Sequence, residues 1–256
     1  MFSICADRRA VPVTVPLLAP PLETKVDKFA RQMLVELAVS LAIGVVSALF
    51  VTSTAGLFAL FIGIQIQLIV SGILRWRSLS NPSARTQWLA PTAFSLSAAN
   101  HAYVLTHEAG HAAAYQALFA EAKTQITLYP YEGGLTSFRG KGITKLGEWI
   151  GKERLFPLVA AAGPALSCIA SGILLALGLK LERKHPETAR MLIVSALVNF
   201  LFHVVYALSA LFASPTYLAH DFVALWVTAA IHPVIAAIAI LAIPFFIYAI
   251  ARSSSL

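Results

Sequence analysis

Apolar residues in this chain gather in long runs rather than in the one-sided stripes of a water-soluble protein. Residues 33–51 (MLVELAVSLAIGVVSALFV) and 56–74 (GLFALFIGIQIQLIVSGIL) are two such runs. Each approaches the about 20 residues a helix needs to cross a bilayer. Only Thr52 to Ala55 separate them, which predicts a tight antiparallel pair. Further runs cover 155–179, 190–213 and 221–251, the last interrupted by Pro233 and Pro244. Residues 87–120 are less hydrophobic and contain Asn100, His101, His107, Glu108 and His111. The pattern predicts an all-α membrane protein with about six transmembrane helices, integral and multi-pass.

One connection has a different period. Thr124 to Tyr131 (TQITLYPY) is rich in β-branched and aromatic residues and predicts a strand. Glu132-Gly133-Gly134 supplies turn chemistry, and Leu135 to Phe138 reads as the returning strand. A small β-hairpin is therefore expected after the histidine-bearing helix. Beyond it, Ile143, Leu146, Trp149 and Ile150 recur at helical spacing, which predicts a short amphipathic helix on the headgroups. At the front, Pro12, Pro16, Pro20 and Pro21 break up the stretch VPVTVPLLAPPL. Residues 1–30 are expected to be a flexible, uncleaved tail, and 31–252 a single multi-pass membrane domain.

Composition supports the membrane assignment. The chain is 58% hydrophobic and 12% charged, where soluble domains carry about 45–50% and about 25%. Halving the charge removes the polar coat of a soluble enzyme, and the apolar content excludes disorder. The net charge of +7 comes from residues between the apolar runs. There, Lys and Arg meet anionic lipid headgroups. No basic stripe lies on a polar face, so the expected partner is the lipid bilayer and no nucleic acid. Across six spans, Lys and Arg collect on the side of the N-terminus, which predicts a cytoplasmic N-terminus. Cys5 and Cys168 fall in the tail and in an apolar run, which offers no disulfide framework.

The chemistry concentrates in His107-Glu108-Ala109-Gly110-His111, which fits H-E-x-x-H. Positions i and i+4 of a helix lie on one face, one turn apart, so His107 and His111 can point imidazole nitrogens at one metal ion. Glu108 can reach water at that metal without being a ligand, as a general base requires. Ionisable groups buried in a membrane helix cost about 2.5–3.5 kcal/mol each, so three in one turn call for a compensating ion. Zinc suits two neutral imidazoles plus a carboxylate or a third histidine, with one position open. The chain has three aspartates: Asp7 and Asp27 near its start, and Asp221. Asp221 heads the last apolar run and is the leading third ligand, with His220 and His203 as alternatives and helix capping as the plain one. Asn199 and His203 share a face, either lining the metal cavity or bonding between helices. His101 is expected to pack, His185 to be solvated and His232 to mark a kink before Pro233.

These residues together resemble the site-2 protease family of intramembrane zinc metalloproteases. The points of likeness are HEAGH in an apolar helix, a following hairpin, Ala162-Gly163-Pro164 in the next helix, Asn199 in a further one and an aspartate beyond it. The likeness covers a core of residues 88–230. It implies one Zn2+ ion held by His107, His111 and Asp221, Glu108 as the general base, and close helix packing at Gly163-Pro164. It also implies hydrolysis of peptide bonds in membrane-embedded or juxtamembrane segments of a membrane protein or peptide substrate. A site toward the cytosol is implied too, against the orientation read from charge. The chain departs from the family pattern where Phe222 rather than glycine follows Asp221, and where Ser167 stands in place of a frequent asparagine. A second reading is thus a catalytically inactive metal-binding protein, a pseudo-protease that binds or scaffolds a membrane partner. A di-iron hydroxylase would need more: the seven histidines make one H-x-x-x-H box and no H-x-x-H-H.

Overall fold

A computed structural model describes residues 24–80 and 84–253. The proline-broken stretch and Cys5 lie outside the described residues. Helix α1 (Lys25–Ala48) starts ahead of its apolar run because Thr24 caps it. The Thr24 hydroxyl accepts the Asp27 N–H, and the Asp27 carboxylate accepts the Thr24 N–H. The tail expected over residues 1–30 is therefore helical from Lys25 onward.

Helix α2 (Thr54–Ser80) returns antiparallel to α1. The pair is inside-out by the standards of a soluble protein. Helix α1 buries Glu36, Ser40, Gly44 and Ser47, and α2 buries Gln67, Ser71 and Arg75 beside Leu60 and Ile64. Leu34, Phe58, Ile69 and Ile73 instead stand 63–70% exposed. Lipid tails solvate such apolar faces, whereas polar groups must find partners inside the bundle.

Helix α3 (Ala84–Phe94), a π-helical turn (Ser95–Ala99) and helix α4 (Asn100–Leu118) follow without a break. Pro91 removes a backbone donor within α3, and the ladder resumes with the wider π spacing. The Ser95 hydroxyl donates to the Pro91 carbonyl at 2.7 Å. Helix α4 leads into strands β1 (Lys123–Tyr129) and β2 (Gly133–Arg139), paired antiparallel with Thr127 opposite Leu135. A short helix forms where one is expected, α5 (Lys145–Ile150), with Trp149 83% exposed. Helices α6 (Lys152–Leu181) and α7 (Pro186–Ser209) are long and apolar.

The last expected span, 221–251, is two helices, α8 (Asp221–Ala229) and α9 (Pro233–Ser253). They part where Ala230 turns left-handed at φ 55° and Pro233 begins a new helix. Among the described residues, five helices are long and apolar enough to cross a membrane: α1, α2, α6, α7 and α9. The expected sixth span, 87–120, is helical as α3 to α4 but too polar to count with them. The protein is thus an all-α membrane protein with a small hairpin.

The main core joins α6, α7, α8 and α9 around Phe200, Val223, Ala196 and Leu175. Helix α4 lies close against α6 because Gly110 faces Ala162 and Gly163, where a β-carbon would meet the Ala162 carbonyl. The hairpin is fastened at the end where α1 turns into α2. The Leu128 N–H donates to the Phe50 carbonyl at 2.9 Å. Tyr131, at φ 67°, sets its ring 4.7 Å from that of His101 and its hydroxyl against Gly63 of α2, where a β-carbon would meet it.

Candidate metal centre

Helical geometry does what the spacing predicted: the His107 and His111 Nε2 atoms lie 3.1 Å apart. Asp221, the first residue of α8, brings its carboxylate to both. Oδ2 is 2.9 Å from His107 Nε2, and Oδ1 is 3.3 Å from His111 Nε2. One donor atom from each of the three lies within 4.8 Å of the others, so the group can hold a metal ion. His111 and Asp221 are each 8% exposed.

The donor set fits a small tetrahedral ion. Ligand bonds of about 2.0–2.1 Å place neighbouring donor atoms about 3.3 Å apart in a tetrahedron. The observed separations of 2.9–3.3 Å match that edge. The outer contacts aim the donors. The Nδ1–H of His111 donates to the Val159 carbonyl of α6 at 2.8 Å, which leaves the Nε2 lone pair facing the site. The Tyr206 hydroxyl donates to Asp221 Oδ2 at 3.4 Å and accepts the Asp221 N–H at 3.2 Å. That second bond occupies a backbone donor at the start of α8. Gly163 leaves room for the His111 ring, which a β-carbon there would strike.

Glu108 lies beside this group and points at the hairpin. The Thr136 hydroxyl of β2 is 2.7 Å from Glu108 Oε2 and 2.9 Å from the Glu108 carbonyl. A β-carbon at Gly134 would meet Glu108 Cγ at 2.6 Å, so the bare backbone of β2 lies directly on the glutamate.

Two of the alternatives for the third ligand sit elsewhere. His220 turns away: its Nε2 is 2.9 Å from the Ser209 hydroxyl, and its ring stacks 4.2 Å from that of Tyr206. His203 is near without joining. Its Nδ1–H donates to the Asn199 carbonyl at 3.0 Å and its ring lies 5.6 Å from that of His107. Its buried Nε2 has no hydrogen-bond partner among the described residues. Asn199 bonds between helices and does not line the centre, donating to the Ser171 hydroxyl of α6 at 2.7 Å. Ser167 donates to the Tyr103 carbonyl at 3.1 Å, joining α6 to α4. His101 packs against Tyr131, His185 is exposed at the start of α7, and His232 precedes Pro233 against Trp226.

Thr136 and Tyr206 are the residues that sequence reasoning missed. Tyr206 extends the Asn199, His203 stripe by one more helical turn, a signal present in the sequence. Thr136 carries no such signal, since only strand register brings it to Glu108.

No protein-family model, curated protein or solved structure matches this chain.

Proposed function

We propose that this protein is an intramembrane metalloprotease of the site-2 protease type, hydrolysing a peptide bond in a membrane-embedded or juxtamembrane segment. The observation that carries the reading is the convergence of His107 and His111 with Asp221, distant in sequence, beside Glu108. His107, His111 and Asp221 would hold one divalent ion, zinc by donor type and spacing. Bound there, zinc supplies a Lewis acid that activates water and polarises the scissile carbonyl. Glu108 takes the proton from the attacking water and delivers it to the leaving amine as the C–N bond breaks and a C–O bond forms. Tyr206 and the Val159 carbonyl hold the ligands in place throughout. The hairpin gives a substrate somewhere to unwind. A helix hides its carbonyls in its own hydrogen bonds, and an extended segment can pair with an open strand edge beside Glu108.

The test uses the full-length protein in detergent or nanodiscs, a single-span peptide substrate and metal analysis. Glu108→Gln should lower cleavage by 10²–10⁴-fold, the usual worth of general-base catalysis, with metal content unchanged. Undiminished turnover in that variant overturns the mechanism. One bound metal with no turnover by the wild type assigns the chain to the pseudo-protease reading.

A further inference from the structure

The opposite end of the bundle from the hairpin holds a cavity of about 570 Å³. It lies between the start of α1, the end of α2 and the turn joining α6 to α7. Cations from all three segments line it: Lys28 and Arg31 one turn apart on α1, Arg75 on α2, and Lys184 before α7. We propose that this cavity binds the phosphate of an anionic phospholipid headgroup.

The size suits such a ligand, since small-molecule pockets run about 300–1,000 Å³. One carboxylate lines the cavity among the described residues, Glu187, and it is already engaged. Arg190 donates to it at 2.7 Å, and Arg75 lies 3.8 Å away. Arg75 is fixed from behind by Glu36 at 2.7 Å, so its guanidinium forms a rigid wall rather than a mobile surface charge. The ammonium groups of Lys28 and Lys184 have no partner among the described residues. A phosphate supplies the missing anion between them.

The surroundings favour a lipid as the source of that phosphate. Phe29 and Trp76, one residue from Lys28 and Arg75, pack edge to face at 5.4 Å, with Trp76 50% exposed. Tryptophan settles at the headgroup level of a bilayer. Val35 and Met191 give the cavity an apolar side, where acyl chains can run down between α1 and α7. A neighbouring cavity of about 260 Å³ shares Lys28 and Glu187 and adds Lys25, which leaves room for the rest of a headgroup. Basic pockets between membrane helices hold lipid phosphates in this way. The cavity lies apart from the candidate metal centre and stands whether or not the protein cleaves peptides.

Native mass spectrometry of the full-length protein in neutral detergent tests this, with phosphatidylglycerol, phosphatidylcholine and inorganic phosphate as probes. The wild type should retain phosphatidylglycerol over phosphatidylcholine. Each surface cation contributes about fivefold to anionic-lipid affinity, so Lys28→Gln with Lys184→Gln should weaken retention about 25-fold. Lys145→Gln with Lys152→Gln, at the hairpin end, should leave it unchanged. Lys184→Gln alone, on an exposed turn, carries the test if the double variant loses its fold. Equal losses from both pairs, or none from Lys28 and Lys184, overturn the site. Binding of inorganic phosphate without preference for phosphatidylglycerol overturns the lipid as its source.

Discussion

Glu36 and Arg75 meet at 2.7 Å between α1 and α2, and His107, His111 and Asp221 meet at 2.9–3.3 Å between α4 and α8. Both groups are buried charges in an apolar bundle, yet only one is completed by the chain. Glu36 receives Arg75 on one oxygen and the Gln67 amide on the other at 2.7 Å, and the Ser40 hydroxyl donates to the Gln67 oxygen. Glu36 is thus satisfied by side chains of the same two helices, and Arg75 reaches on to Glu187 of α7 at 3.8 Å. At the other group, two ring nitrogens and a carboxylate converge, and no Lys or Arg among the described residues contacts them. Electron pairs gathered without a cation make a binding site; electron pairs matched by a cation make structure. The difference lies in the counter-charge, because burial alone is costly in both places.

The largest expected effect probes the closed network. Arg75→Met leaves the Glu36 carboxylate buried and unpaired, which costs about 3–5 kcal/mol. Thermal unfolding in detergent should show a strongly destabilised protein. Glu36→Leu combined with Arg75→Met should recover most of the loss, since the buried charge goes with its partner. A normal melting temperature in Arg75→Met would erase the contrast between the two regions.

Ligand-side variants should behave in the opposite way. His111→Ala and Asp221→Ala should fold yet lose bound metal. The wild type should be stabilised by about 2.7 kcal/mol at a zinc concentration 100 times its dissociation constant, and both variants should show no such shift. A chelator should return the wild type to the melting temperature of the variants. A zinc-induced shift that survives Asp221→Ala would move the third ligand elsewhere, His203 being the nearest spare imidazole.

Two smaller effects sharpen the site. Tyr206→Phe removes both bonds between its hydroxyl and Asp221. Metal affinity should fall about tenfold, the low end for losing a contact that orients a ligand. Thr136→Val removes the hydroxyl that donates to Glu108. Cleavage should fall about twofold to tenfold, the worth of one net hydrogen bond of about 0.5–1.5 kcal/mol, with metal affinity unchanged. Loss of metal in Thr136→Val would mean that the hairpin supports the ligands and not only Glu108.

Much of the fold is legible because its signals are local. Apolar runs mark helices, β-branched residues and paired glycines mark the hairpin, and Pro233 marks the break before α9. The boundaries that differ have local causes of another kind. The Thr24 and Asp27 capping box starts α1 early, and the left-handed Ala230 divides the last run in two. The closed Glu36 network was readable in principle, as polar positions recur at helical spacing in both α1 and α2. Hydropathy averages hide such a stripe, because a few polar residues barely lower the mean of a long apolar window.

The sequence itself places His107, Glu108 and His111 within about one helical turn, since a helix holds positions one turn apart on one face wherever it is placed. Only the packing of α8 brings the Asp221 carboxylate against both rings, and the same packing turns His220 toward Ser209. Thr136 reached Glu108 only through strand register, and Lys28, Arg75 and Lys184 came to one cavity only through the packing of three separated segments. Spacing along a helix is written in covalent geometry and survives any environment. Meetings between distant residues depend on how whole helices pack, and no stretch of sequence carries that alone.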